Sequence, residues 1–303
     1  MAQAPAAPKL KRAALRAATA LVGPGVARDG AALLPSERAA LDLRLARKGH
    51  PWRPAQEVIF LIPLVGPAQV GDWPAVTARL RTTLQSLIAQ TDPRWRALVC
   101  CQERPEMPDD PRILFLPFDD PTPGNDKWRK LAALTGHLGH IATDPAYVMS
   151  FDADDLLRSG AVSEMLSAQA KGGYLAQTGF VMDHATGDVA LAARPTLALP
   201  LRKPFWKLCG SCAALHHYPA LPQSQAFLQE MTQHEHRMFP YLAALAGQTL
   251  TPLKDPAVLY VLNHGENFGA RRGRVGFKTR FVQRFRIDDP ATLAALHQEF
   301  PAP

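Results

Sequence analysis

The chain has 303 residues, 47% of them hydrophobic and 20% charged, a balance that fits a folded core and excludes wholesale disorder. Its formal net charge is +7 and its pI is near 9.4, which suits a partner bearing phosphates, either a nucleotide or an anionic membrane surface. Zinc-finger spacing and aromatic-basic RNA motifs are absent, so no nucleic-acid partner is expected, and no apolar run is long enough for a transmembrane helix.

Residues 1–53 hold ten Lys or Arg against Asp29, Glu37 and Asp42. Two helices are expected, at about 9–21 and 36–48, parted by Gly23-Pro24-Gly25. The second sets Leu41 and Leu45 on one face, with Arg38, Arg44, Arg47 and Lys48 around it. Such a helix either lies on an anionic membrane surface or packs on the rest of the protein, and its weakly apolar face favours packing. Lys9, Lys11 and Arg12 precede only a short Ala-rich run without a clean cleavage site, so no signal peptide is expected there. Cys100, Cys101, Cys209 and Cys212 imply no disulfide framework. Cys209-Gly-Ser-Cys212 has metal-ligand spacing but no second pair, so buried thiols are the simpler reading. A cytoplasmic protein is expected, with peripheral contact at the inner face of the membrane as an addition.

Glu57 to Pro63 reads as a first buried strand, ended by its proline. A helix follows over about 74–90, with Leu80, Leu84, Leu87 and Ile88 at helical spacing. Trp95 to Cys101 and Arg112 to Leu116 read as the second and third strands, and a helix is expected over about 127–142. Ala146 to Met149 is the fourth strand, and it runs straight into Phe151-Asp152-Ala153-Asp154-Asp155. This β-α-β-β-α-β order predicts a largely parallel α/β sheet with its functional groups at the strand ends. Beyond it come a helix at about 159–170, strands over Tyr174–Met182 and Asp188–Ala193 joined by a hairpin turn, an apolar segment at 212–215, a helix from about His234 to Ala246, and a strand over Ala257–Leu262. The segment Asn263 to Asn267 follows, then a tail carrying Arg271, Arg272, Arg274, Lys278, Arg280, Arg284 and Arg286.

Three carboxylates within four positions repel one another unless a cation neutralises them. A hard divalent metal, Mg²⁺ or Mn²⁺, is the economical cation; a solvated turn or a helix cap by Asp154 and Asp155 is the plain alternative.

Four landmarks in order resemble a glycosyltransferase of the GT-A type, closest to family 2. They are Phe60-Leu61-Ile62-Pro63, the run Thr83 to Thr91, Phe151-Asp152-Ala153-Asp154-Asp155, which is similar to the family's DxD signature, and His234-Glu235-His236. Tyr260-Val-Leu-Asn-His264 is similar to the family's Tyr-x-x-His segment. The resemblance covers about residues 57–268. It implies a mostly parallel sheet flanked by helices with a small antiparallel addition, in a catalytic domain over 54–269. A basic helical extension (1–53) would precede that domain, and a basic tail with a short terminal helix (270–303) would follow it. It further implies transfer of a sugar, with inversion, from a nucleotide-diphospho-sugar donor to a glycan or lipid-linked acceptor, in polysaccharide biosynthesis. Asp152, Asp154 and His264 would face Mn²⁺ or Mg²⁺. Glu235 would be the catalytic base, with His236 as second candidate. Pro63, Val65, Glu103, Lys127, Asp152, Ala153 and Trp206 would meet the nucleotide sugar. The family's Asp-Asp run after the second strand is replaced here by Cys100-Cys101-Gln102-Glu103, which leaves the nucleotide open. A sugar-phosphate nucleotidyltransferase is the nearest alternative, yet Val65-Gly66-Pro67-Ala68 is poor in glycine for its phosphate loop. A non-catalytic nucleotide- or carbohydrate-binding module is the other.

Overall fold

The computed structural model describes residues 3–30, 32–122, 124–265 and 275–300. Glu266, Asn267, Arg271, Arg272 and Arg274 lie outside the described residues. Three helices open the chain: α1 (Lys9–Leu21), α2 (Pro24–Asp29) and α3 (Pro35–Ala46). Next come β1 (Glu57–Pro63), α4 (Trp73–Ile88), β2 (Trp95–Cys101), β3 (Ile113–Pro117), α5 (Lys127–Gly136), the one-turn α6 (Leu138–Ile141) and β4 (Ala146–Ser150). After these come β5 (Asp155–Leu157), α7 (Ala161–Ala168), β6 (Gly173–Leu175), β7 (Gly179–Asp183), β8 (Val189–Ala192), β9 (Ala213–His217) and α8 (Pro222–Thr232). The chain closes with α9 (Phe239–Leu245), β10 (Thr251–Pro252), β11 (Val258–Leu262), α10 (Val275–Arg284) and α11 (Pro290–Glu299).

The architecture is α/β, with two mixed sheets flanked by helices. The larger sheet has the order β10-β6-β9-β4-β1-β2-β3. Val58 to Ile62 on β1 are fully buried, because β2 and β4 pair in parallel on either side and helices cover both faces. The parallel register sets Phe60 opposite Ala97 and Met149, so the C-terminal ends of β1, β2 and β4 open on one edge.

The antiparallel strands are not a separate addition. β9 pairs antiparallel with both β4 and β6 inside the main sheet, and the second sheet, β5-β11-β7-β8, contains a parallel pair, β11 with β7. The single strand expected over 174–182 is two strands in different sheets. Between them Gln177 O accepts the Phe205 N–H at 3.0 Å, and the Phe205 ring lies where a Cβ on Gly179 would stand, at 2.4 Å. That close approach turns the chain from one sheet to the other.

The helix expected from His234 begins later. Residues His236–Met238 form a 3₁₀ turn, and α9 starts at Phe239 with Pro240 in its first turn, where the missing N–H costs nothing. The helix α8 was not anticipated; it buries Phe227, Leu228 and Met231. α3 packs on α8 and α9, with Ala40, Leu41 and Leu43 fully buried, so its apolar face is taken up by the protein rather than by a membrane. No helix among the described residues is long and apolar enough to cross a membrane. Leu296 and Phe300, at the end of the tail, pack into a small second core with Phe180, Leu259 and Val261 under the second sheet.

Candidate active site

A cavity of about 870 Å³ opens at the C-terminal edge of β1 and β4. Pro63, Val65, Lys127, Asp152, Ala153, Asp154, Glu235, His236 and His264 all line it. Glu103 is exposed and does not, and the half-buried Trp206 packs against the core, with Lys207 Nζ over its ring at 5.2 Å. These two sequence expectations therefore fall outside the cavity lining.

Gln102, exposed just beyond β2, ties into a partly buried polar network with two residues of the cavity lining, Asp126 and Lys130. Its Nε2 donates to Asp126 Oδ2 at 2.6 Å, and its Oε1 accepts from Lys130 Nζ at 2.8 Å. Lys130 is fully buried, and it is tolerated because Leu64 O also accepts from it at 2.5 Å and Asp126 pairs with it at 2.8 Å. Gly66 makes room here: a Cβ would stand 2.4 Å from Gln102 Oε1.

The acidic stretch has three carboxylates in three different settings. Asp152 Oδ1 accepts from Lys127 Nζ at 2.5 Å. Burial pulls the Lys127 ammonium down, but the carboxylates of Asp152, Asp154 and Asp155 outweigh it and leave its pKa above the ordinary lysine value. Asp154 Oδ2 lies 2.8 Å from His264 Nε2. Burial raises Asp154, but the His264 bond and charge, with Lys127, bring it below the usual carboxylate range. Asp155 is fully buried and caps no helix; it opens β5, opposite Tyr260 of β11. Burial and the two neighbouring carboxylates push its carboxyl well up. Its Oδ2 accepts from Ser211 Oγ at 2.5 Å and Cys209 Sγ at 3.1 Å, and Ser211 Oγ in turn accepts the Asp152 backbone N–H at 2.8 Å. Cys209 thus props the acidic loop from below, and burial keeps the thiols of Cys209 and Cys212 protonated.

Asp154 and His264 offer an oxygen and an imidazole nitrogen converging at 2.8 Å, the donor types that a divalent ion such as Mn²⁺ accepts. Among the described residues no group of three or more His, Cys, Asp or Glu is gathered for a metal. Two protein donors fit an ion that keeps its other positions for phosphate oxygens and water, as Mg²⁺ does in phosphate-binding sites.

On the facing wall, Glu235 precedes the 3₁₀ turn. His236 is half-buried and pushed down to about 4, first by desolvation and then by Lys278, so it is neutral at neutral pH. His234 also lines the cavity, and its Nε2 meets Ser36 Oγ of α3 at 2.7 Å. The chain ahead of α1 reaches the same wall: Ala4 N–H donates to Gln233 O at 2.8 Å, and Gln3 lines the cavity.

Sequence reasoning did not single out Arg79, Tyr260 or Lys278 as site residues. Arg79 Nη2 donates to His264 O at 3.0 Å, fixing the loop that carries the imidazole. Lys278 Nζ donates to Tyr260 Oη at 2.7 Å, and burial lowers its pKa. In sequence both are one cation among many on helix faces, and no local pattern marks them.

No protein-family model matches the chain, and no curated protein matches it. Among solved structures it is similar to the crystal structure of the glycosyltransferase GlyE in Streptococcus pneumoniae TIGR4, at 13% identity and a TM-score of 0.31. The match covers 77% of this chain and 52% of that one, so the chain spans about half the length of the structure it matches.

Proposed function

We propose that the chain is a metal-dependent glycosyltransferase of the GT-A type. It would move a sugar from a nucleotide-diphospho-sugar donor to a hydroxyl of a glycan or lipid-linked acceptor, with inversion. The observation that carries this reading is that Asp152, Asp154, Lys127 and His264 share one cavity with Glu235 and His236. That is a cation-holding group at a sheet edge, with a carboxylate across from it.

Asp154 and His264 would hold Mn²⁺ or Mg²⁺. The ion, when bound, supplies Lewis-acid neutralisation of charge growing on the departing diphosphate. Lys127, exchanging Asp152 for a phosphate oxygen, adds a fixed positive charge beside it. Asp152 is then released toward the donor's ribose. Glu235 accepts the proton of the acceptor hydroxyl as the new C1–O bond forms and the C1–O(phosphate) bond breaks, and the electron pair leaves with the diphosphate. His236, neutral and half-buried, orients the acceptor hydroxyl by hydrogen bonding. Asp126 and Lys130, which line the cavity, would border the nucleotide.

The test is a thermal-shift series with nucleoside diphosphates, each with and without Mn²⁺. A ligand that binds only the native state raises the melting temperature by mass action. The expected result is a shift from one nucleoside diphosphate that grows with Mn²⁺ and loses that growth in Asp154→Ala. The absence of a shift from every nucleoside diphosphate, with or without metal, overturns the proposal.

A further inference from the structure

α1 has two apolar faces, and only one of them is used inside the protein. Leu15 and Thr19 turn inward and are buried, and Arg12 lies over the Tyr241 ring at 5.7 Å, seating the helix on α9. On the opposite side Leu10, Ala14, Ala17 and Leu21 recur at helical spacing, a single stripe along the helix. Leu10 is 86% exposed and Leu21 84%, and Val22 and Val26 are exposed at the turn into α2. Leaving two leucines in water along one stripe is unfavourable, and scattered exposure does not account for their alignment.

The charges beside the stripe are all of one sign. Lys9 and Arg16 are exposed on one flank, Lys11 stands on the other, and α1 contains no acidic residue. Of the nearest acids, Glu37 is buried and takes Lys11 at 3.6 Å and Tyr241 Oη at 2.9 Å, and Asp29 pairs with Arg28 at 2.8 Å, which leaves Lys9 and Arg16 as the cations facing outward beside the stripe. An apolar stripe rimmed by cations matches a surface that is apolar within and anionic at its edge.

We propose that the outward face of α1 docks this protein on an anionic lipid bilayer. The leucines enter the acyl boundary, and Lys9 and Arg16 meet the lipid phosphates. α3, the other basic helix, takes no part, because its apolar face is already buried. The residues just ahead of α1 line the cavity and pair with Gln233, so docking would bring the Glu235 wall toward the lipid surface. The proposal stands whether or not the cavity transfers a sugar.

The experiment is co-sedimentation of the full chain with phosphatidylcholine–phosphatidylglycerol vesicles and with pure phosphatidylcholine vesicles, at low and high salt. The protein is expected to pellet with the anionic vesicles only, and less so as salt rises. Lys9→Glu with Arg16→Glu should lower the bound partition by at least about fivefold per cation, and Leu10→Ser with Leu21→Ser should abolish it. These side chains are exposed, so the melting temperatures should stay at the parent value. Failure of the parent protein to pellet with anionic vesicles overturns the proposal, as does pelleting of both variants at the parent level. Sedimentation velocity gives a third overturning result: a parent dimer that Leu10→Ser with Leu21→Ser turns into monomer would assign the stripe to a second copy.

Discussion

On one wall of the cavity Asp152 and Asp154 follow β4 and are braced from beneath by Asp155, Ser211 and Cys209. On the other wall Glu235 and His236 occupy a short turn between α8 and α9, held from outside by Ser36 of α3 and by the chain near Ala4. The first wall is set by sheet register and a buried network. The second depends on a segment some two hundred residues away in sequence. The acidic wall should therefore tolerate little change without losing its chemistry, whereas the Glu235 wall should be adjustable from the N-terminal helices.

The largest effect belongs to the acidic wall. Asp154→Ala removes one of the two donors converging on the proposed cation, and a bound cation contributes several kcal/mol to charge neutralisation. Transfer should fall by about 10³-fold or more while circular dichroism stays native. Near-normal turnover at saturating metal would remove Asp154 from the site.

Across the cavity, Glu235→Gln keeps the shape and takes away the proton acceptor. Turnover should fall by about 10²–10⁴-fold, with the affinity for nucleoside diphosphate, measured by calorimetry, unchanged. A loss of affinity with turnover preserved would make Glu235 a binding residue and dissolve the contrast between the walls.

How much of this was legible in the sequence follows the same division. β1 and β2 can be read to the residue, because runs buried on both faces stay apolar throughout and end at Pro63 and after Cys101. The acidic stretch could be read because its charges crowd within one short segment. The Glu235 wall was legible only through resemblance to a family. Its supports, Ser36 and Ala4, carry no local mark, and α8 hides a helical period among polar residues, Pro222 to Thr232. Gln102 and Glu103 are both exposed beyond β2, and what separates them is the bonding of Gln102 to Asp126 and Lys130, which no local pattern marks. The split of 174–182 into two strands depends on Phe205, nearly thirty residues further on, packing on Gly179.

The N-terminal helices can be tested as structural supports of the second wall. Leu41 is fully buried between α3 and its neighbours, and Leu41→Ala should cost about 2–5 kcal/mol in urea unfolding. A cost near zero would mean that α3 is dispensable to the core.

Acid should loosen both walls. His216, His217 and His236 are each pushed down to about 4, first by burial, whereas a histidine in the unfolded chain titrates near 6.5. Between those values the unfolded state binds more protons, so stability is complete above about pH 6.5, falls as pH drops and levels off below about 4. Each histidine contributes on the order of 3 kcal/mol to that fall. His217→Gln should give a shallower loss of melting temperature between pH 7 and pH 5. A slope equal to that of the parent would mean that His217 titrates normally in the fold.

The smallest effect separates positioning from stability. Ser36→Ala deletes the hydroxyl beside His234 Nε2 and leaves a buried ring nitrogen without that partner, a change worth about 1–3 kcal/mol. Because His234 is the residue before Glu235, the loosened turn should lower turnover severalfold with nucleoside-diphosphate affinity unchanged, and Ser36→Thr, which keeps the hydroxyl, should restore much of it. A purely structural role for Ser36 would lower the melting temperature and leave turnover per folded molecule at the parent value. That outcome would show that the Glu235 wall holds its geometry without help from α3, and that both walls are set by the sheet.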